Sequence, residues 1–464
     1  MKKLAALFCI AVLCSGCTVG PEYKRPAASV PGTYRGLTPE QAAKNEASSL
    51  GDQKWQEVFQ DPQLQGLIRT ALEQNYDVRI AASHILEAKA QFGITRADQF
   101  PQVNGGAQIT ETRQPRGKFI PAFETSTGGI NISAAWELDF WGKYRRATEA
   151  ARASLLASEA NRQAVMVTLV ANVSAAYFQL RALDLELEIS KRTLDSRKES
   201  LRLTKILVDH GSTSLLDLRQ AEQLVFTASA EVPALEQQIE QQENFISILL
   251  GRNPGDIPRG QKLTEQAHSA EVPAGLPSAL LERRPDIRAA EQEMIAANAR
   301  IGVARAAYFP QITLSGSGGL QTAALTNLFN GPSGVWSFGG ALTEPIFTAG
   351  KIRSNIRLAE AQQQTATLFY QQTIQGAFRN VSDSLVAYRK TREFREQEEL
   401  LFQSAQDSAR LSHLRYNGGV TGYLEVLTNE TNAFSAELGV VEAQLNELLA
   451  LVQVYQSLGG GWQQ

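Results

Sequence analysis

Between Lys143 and His210 apolar residues return every seventh position, at Met166, Val173, Leu180, Leu187, Leu194, Leu201 and Val208. This spacing predicts a helix packed along its whole length against other helices. The 68 residues from Lys143 to His210 include no Gly and no Pro, so nothing within them breaks a helix. At 1.5 Å per residue such a helix reaches about 100 Å. That is several times the width of a compact domain, so the helix must span or line something. Gly211 ends it. Roughly 208 residues later the chain does the same again, from Lys351 to Tyr416, ending at Gly418 and Gly419.

A second pattern, with a period of two, precedes each long helix. It is clearest in Ile130, Ile132, Ala134, Trp136, Leu138, Phe140, and recurs in Val103, Gly105, Ala107, Ile109 and in Ile312, Leu314, Gly316, Gly318, Leu320. The expected strands are 102–112, 130–140, 311–322 and 335–347, each about ten residues, the length of a tilted strand crossing a membrane. Trp141 and Trp336 fall near segment ends, where interfacial aromatic belts belong. Four such strands cannot close a barrel, and an open sheet leaves unpaired backbone groups in lipid. The barrel must therefore be shared: two chains give eight strands, and three give twelve, enough for an open channel. The joining segments 114–129 and 322–334 carry Pro, Gly, Asn and Ser and are expected as outer loops.

Both patterns occur twice because the chain is duplicated. Asp77-Val-Arg79 recurs as Asp286-Ile-Arg288, Phe100-Pro-Gln102 as Phe309-Pro-Gln311, Gly142-Lys143 as Gly350-Lys351, and Leu216-Asp-Leu218 as Leu424-Glu-Val426. The offset is 208 or 209 throughout. Each copy reads as a helix, two strands, a long helix and a return helix. The expected divisions are a signal peptide at 1–16, a polar lead-in at 17–61, repeat 1 at 62–252, a Pro- and Gly-rich linker at 253–277, repeat 2 at 278–458 and a tail at 459–464. The first helix is expected from Pro62 to Asp98, and Pro233 should kink the first return helix. The fold class is α plus membrane β.

The formal net charge of -3 carries neither a basic nucleic-acid footprint nor an acidic tail. The three cysteines, Cys9, Cys14 and Cys17, all lie in the first 17 residues. Lys2 and Lys3 precede an apolar core from Leu4 to Leu13, the pattern of a secretory signal. Leu13-Cys-Ser-Gly-Cys17 resembles a bacterial lipobox, which implies N-acyl and S-diacylglycerol lipid on Cys17. Thr18 follows in place of the Asp that would favour inner-membrane retention. No later run of 18 apolar residues exists, so no transmembrane helix is expected. The four histidines, His84, His210, His268 and His413, show no metal spacing, and no phosphate-binding Gly loop precedes a helix. Neither a metal site, a cofactor nor a catalytic residue is expected.

Taken together, the chain resembles TolC-type outer-membrane channels, and within them the lipoprotein channels of RND tripartite efflux pumps. The resemblance rests on Leu276-Pro-Ser-Ala-Leu-Leu-Glu-Arg-Arg-Pro-Asp-Ile-Arg-Ala-Ala-Glu291, Phe309-Pro-Gln-Ile312, Trp136-Glu-Leu-Asp-Phe-Trp-Gly-Lys143 and Pro345-Ile-Phe-Thr-Ala-Gly350. It implies a homotrimer, four transmembrane strands per protomer in a shared twelve-stranded barrel, and a periplasmic tube of α-helices. It also implies partners: a periplasmic adaptor, an inner-membrane RND transporter and outer-membrane lipid.

Two places carry implied roles. The helix-turn-helix tips, with Gly211, Ser212, Thr213 and Ser214 in one and Gly418, Gly419, Val420, Thr421 and Gly422 in the other, would contact the adaptor. The residues themselves are also plain turn chemistry: Gly permits the left-handed reversal, and Ser212, Ser214 and Thr421 suit helix capping. Asp217, Glu425 and Tyr416 fall where the family closes its periplasmic opening. Thr421 stands where an arginine would complete a link to the acidic residue, which rules out a salt bridge from position 421 and leaves room for a Tyr416–Asp217 hydrogen bond. For each acidic residue a simple helix-start charge explains its presence as well. Two other readings are a type I secretion duct and a coiled-coil structural lipoprotein without a channel; the second leaves the strands and the duplication unexplained.

Overall fold

The computed structural model describes residues 18–37, 49–119, 121–266, 272–323, 325–330 and 332–461. The expected signal peptide, Cys17 and the residues 462–464 of the expected tail lie outside the described residues, as do 38–48 of the lead-in and 267–271 of the linker. The chain runs α1 (Pro62–Gln74), α2 (Tyr76–Ala97), β1 (Gln102–Gln114), β2 (Phe123–Glu137), α3 (Lys143–Asp209) and α4 (Leu215–Leu249). It continues with α5 (Pro277–Arg283), α6 (Pro285–Ala306), β3 (Gln311–Thr322), β4 (Gly334–Thr343), α7 (Lys351–Asn417) and α8 (Tyr423–Ser457). The second half repeats the order of the first. Helices α3 and α7 have 67 residues each, and α4 and α8 have 35 each.

Several elements differ from the sequence reading. The first helix is two, because Asn75 takes an extended conformation and caps the second. Its Oδ1 accepts from the backbone N–H of Asp77 (2.8 Å) and Val78 (3.3 Å), while its Nδ2 donates to the carbonyl of Leu249 at 2.9 Å. Helix α5 lies at the expected linker boundary and is separated from α6 by Arg284, which precedes a proline and is extended. Strand β2 begins at Phe123, well inside the expected loop. Its first residues, Glu124-Thr-Ser-Thr-Gly-Gly129, lack apolar alternation yet pair with Gln108 to Arg113. Strands β2 and β4 also end earlier than expected, at Glu137 and Thr343. Pro233, where a kink is expected, lies inside α4.

The chain divides into two compact units. One gathers residues 18–27, His84–Glu159 and Ala289–Gln371. It holds an antiparallel sheet in the order β1-β2-β3-β4, so β1 and β4 are its edges. Its helices meet through small residues: Ala150 and Ala153 of α3 pack against Ala296 and Ala299 of α6. The lead-in is fastened here to both repeats. Val19 N–H donates to the Trp141 carbonyl (3.1 Å), while the Asn298 amide donates to the Pro21 carbonyl (3.0 Å). Arg25 grips Glu291 with two bonds of 2.6 and 2.5 Å, and the Tyr23 hydroxyl adds a third at 2.9 Å. Burial works against ionisation of Glu291, but these donors win and hold its pKa below the usual carboxylate range.

The other unit is drawn from Ala28–Ser83, Ala160–Arg288 and Gln372–Gln464. Leu64, Leu67, Ile68 and Ala71 form the buried face of α1, and Ile246, Leu280, Val454, Tyr455 and Leu458 are buried in the same unit. Phe59 packs on Phe178 and edge-on against Tyr455. An 18-residue stretch of α3 reaches a mean hydropathy of 1.3, though polar residues interrupt it. Its 61% burial within the protein marks it as core, with Met166, Val170, Val173, Tyr177 and Leu180 inside.

Asp61 is the polar centre of this unit and is 1% exposed. It caps α1, accepting from the N–H groups of Gln63 (2.8 Å) and Leu64 (3.4 Å), with Pro62 at the first helical position. It also accepts from the Tyr177 hydroxyl (2.8 Å), the Gln261 N–H (3.0 Å) and the Gln266 amide (3.0 Å). Tyr177 Oη in turn accepts from Gly260 N–H at 2.8 Å. One carboxylate thus ties α1, α3 and the linker together.

Candidate functional site

The sheet separates its residues by chemistry. Register places Gly105 opposite Ile132, Ile132 opposite Gly318 and Gly318 opposite Trp336. One face therefore carries Val103, Ala107 and Ile109 of β1, Ile130, Ile132, Ala134 and Trp136 of β2, Ile312, Leu314 and Leu320 of β3, and Trp336, Phe338 and Leu342 of β4, with glycines between them. The opposite face carries Gln102, Asn104, Gln108, Asn131, Ser133, Thr313, Ser315, Ser317, Gln321, Ser337 and Thr343. Ser317 and Ser337 share a hydroxyl hydrogen bond of 2.8 Å there. Ile132 is 63% exposed and Trp336 83% exposed, so the protomer leaves its apolar face uncovered. At the strand ends Trp141 stacks on Phe309 at 4.6 Å and donates to the Pro310 carbonyl, while Trp136 donates to the Gln99 carbonyl. Indoles with an apolar body and a satisfied N–H suit a membrane interface.

The helical hairpins end in two matching tips. Gly211 (φ +71°) and Gly419 (φ +69°) take the left-handed conformation. Ser212 N–H donates to Leu207 O and Gly211 N–H to Val208 O; Val420 N–H donates to Arg415 O and Gly419 N–H to Tyr416 O. These are paired Schellman motifs, and they explain why each long helix stops at a glycine. The return helices start differently. Ser214 caps α4 through Asp217 N–H (3.2 Å), and Asp217 accepts in return from Ser214 N–H (3.0 Å), Ser214 Oγ (2.8 Å) and Thr213 Oγ1 (2.5 Å). The Thr213 bond leads in holding the Asp217 pKa below its usual value. Gly422 caps α8 with backbone alone. Glu425, at the position matching Asp217, accepts from the Thr421 hydroxyl and lies 3.4 Å from Arg415 Nε.

In this chain the Asp217 carboxylate is occupied by its own turn, not by Tyr416. Tyr416 packs on Tyr423, ring centroids 5.4 Å apart, and joins the cluster of Ala221, Tyr423, Val426 and Leu427. Sequence reasoning missed Arg415, whose link to Glu425 depends on the hairpin bringing residues ten apart together. It also missed exposed apolar side chains on the tips: Leu215 (59%), Leu216 (65%) and Leu424 (61%), with the expected Val420 at 70%. Their signal was present, since Leu at the first turn of a helix after its cap has no intrahelical reason to be apolar. Among the described residues no cluster of three or more His, Cys, Asp or Glu is placed to hold a metal ion.

An amphipathic sheet with unpaired edges, preceding helices of 67 residues in each repeat, defines the protomer of an outer-membrane channel. Comparison with known proteins agrees. The outer membrane efflux protein family model matches residues 67–252 and 276–460, and the chain belongs to that family. It is 34% identical over 458 residues to the cation efflux system protein CusC of Escherichia coli O6:H1, covering 98% of each chain. It is 37% identical over 469 residues to the solvent efflux pump outer membrane protein SrpC of Pseudomonas putida, covering 99% of this chain and 98% of that one. Among solved structures, the open state of the Neisseria gonorrhoeae MtrE outer membrane channel superposes with a TM-score of 0.87 at 34% identity, covering 96% of this chain and 99% of the other. The protein is an outer-membrane exit duct for efflux, and it extends into the periplasm.

Proposed function

We propose that three copies assemble a lipid-anchored duct that serves a tripartite RND-type pump. An adaptor at the hairpin tips and an inner-membrane transporter feed it from below, and it passes small molecules outward without coupling to energy itself. The observation that carries this reading is the sheet: four strands, one apolar face, one polar face, and two edges left open. In lipid those edges need partners, and three protomers supply twelve strands around a water-filled interior. The apolar side chains on the tips give an adaptor something to bury, and Gly211 and Gly419 hold them at the hairpin ends. Asp217, Glu425 and Tyr416 act in closing the opening, Asp217 by fixing its turn. The related proteins named above serve cations in one case and solvents in the other, so cargo choice is assigned to the transporter upstream.

Single-channel recording in planar bilayers tests the duct. The wild-type chain should conduct in small steps, and Asp217→Ala combined with Tyr416→Ala should enlarge them. Unchanged steps would remove these residues from the closure, and a chain that never conducts would remove the channel itself. Cys17→Ala should abolish incorporation of labelled fatty acid while leaving a trimer on gels, because strand pairing holds the barrel. Label retained in that variant would overturn the lipid assignment.

A further inference from the structure

The polar face of the sheet is almost without charge. Strands β3 and β4 contain no Asp, Glu, Lys or Arg, and β1 and β2 contain four: Glu111, Arg113, Glu124 and Glu137. Register puts Glu111, Arg113 and Glu124 on the same face as Val103 and Ile132, at the far end of the strands, where Arg113 pairs with Glu124 at 3.5 Å. Glu137 alone shares the face of Asn131, Ser133 and Ser317. It is the last residue of β2, at the end of the strands that leads into α3. Its carboxylate is spoken for: Oε1 accepts from Lys143 Nζ at 3.0 Å and Oε2 from the Tyr144 hydroxyl at 2.7 Å. Both side chains of the ion pair keep contact with solvent, at 32% exposure for Lys143 and 23% for Glu137. The neighbouring charges also cancel, since Arg145 is paired with Asp139 at 3.4 Å. Glu344, one residue beyond β4, falls outside the ladder.

We propose that Lys143 sets the charge selectivity of the barrel by cancelling Glu137, the one charged group on its polar face. This rests on the duct reading above, which places that face inside. Three uncancelled carboxylates at one level of a pore concentrate cations and repel anions, because low-dielectric walls focus their field. Three Glu137–Lys143 pairs present only small dipoles at that level. The rest of that face is uncharged, mostly hydroxyl and amide groups with Ala135, Val335 and Ala341 among them. A lumen so lined lets solutes of either sign pass, and this suits a duct whose cargo is chosen elsewhere.

The test is a charge cycle in full-length protein: wild type, Lys143→Gln, Glu137→Gln and the double variant, each in planar bilayers under a KCl gradient. Lys143→Gln should raise the K+/Cl− permeability ratio severalfold over wild type, and Glu137→Gln should lower it. The double variant should return to the wild-type value. Opposite shifts with cancellation are beyond a merely structural role, which would move both single variants the same way. Single variants with the wild-type ratio would overturn the proposal. If Lys143→Gln fails to form trimers on gels, Lys143→Met, which keeps the aliphatic stem, carries the same expectation. Absence of conductance in all four chains would instead overturn the duct reading.

Discussion

Ile132→Arg should abolish recovery of the trimer from outer membranes, whereas Ser133→Arg, one residue along the same strand, should leave it. The two positions differ in face, not in depth. Ile132 pairs across to Gly105 and Gly318 on the apolar face, and Ser133 pairs across to Asn104 and Ser317 on the polar one. A guanidinium facing the middle of a bilayer costs about 2–4 kcal/mol in a β-barrel. A threefold assembly carries that cost three times, close to the whole stability of a typical domain. An arginine facing the aqueous interior keeps its hydration and changes little beyond ion preference. Heat-sensitive oligomer bands from membrane fractions would separate the two outcomes. Equal loss in both variants would mean that the polar face is packed against something other than water. Equal survival would mean that the apolar face does not meet lipid.

Much of this architecture is legible from local chemistry, and the limits are local as well. The ends of the long helices could be read because a Schellman turn needs a left-handed residue, and Gly211 and Gly419 supply it. The apolar face could be read because its residues alternate wherever the strand meets an apolar surround. Where β2 continues through Thr125-Ser-Thr127 that surround ends, and the alternation disappears although the ladder does not. Asn75 is a residue type that caps helices, and its Oδ1 bonds to Asp77 and Val78 are local; the bond from its Nδ2 to the Leu249 carbonyl, 174 residues away, was not legible. The lead-in was legible as polar, but its partners were not: Tyr23 and Arg25 bind Glu291 on α6 of the second repeat. At the tips, the residue types were legible and the partners were not. Asp217 and Glu425 occupy equivalent positions, yet one is held by serine and threonine alone and the other also by Arg415.

Asp61→Ala should lower the stability of the helical unit by on the order of 3–5 kcal/mol, among the largest effects available outside the membrane strands. The carboxylate is buried and collects bonds from two backbone groups of α1, one of the linker, the Tyr177 hydroxyl and the Gln266 amide. Alanine removes the acceptor of each, with only the Gln266 amide keeping another in the Gln261 carbonyl at 3.3 Å, in a site with little access for water; unsatisfied buried donors cost about 1–3 kcal/mol each before relaxation. Asn at position 61 keeps one acceptor oxygen but turns an NH2 group toward donors, so it should recover only part of the loss. The pH dependence has a definite sign. Burial pushes the Asp61 pKa up, but the bonds from Gln266, Tyr177 and the backbone outweigh it and hold the pKa below the usual value. A carboxyl with a lowered folded pKa contributes stability that is complete above the unfolded value, about 3.9, and is lost as the pH falls through the folded one. The gap in thermal midpoint between wild type and Asp61→Ala should therefore be constant near neutrality and shrink below about pH 4. Melts of the detergent-solubilised protein at several pH values, followed by the helical circular dichroism signal, measure it. A gap that stays constant into acid would show that the loss is one of packing and that the charge of Asp61 has no part in it.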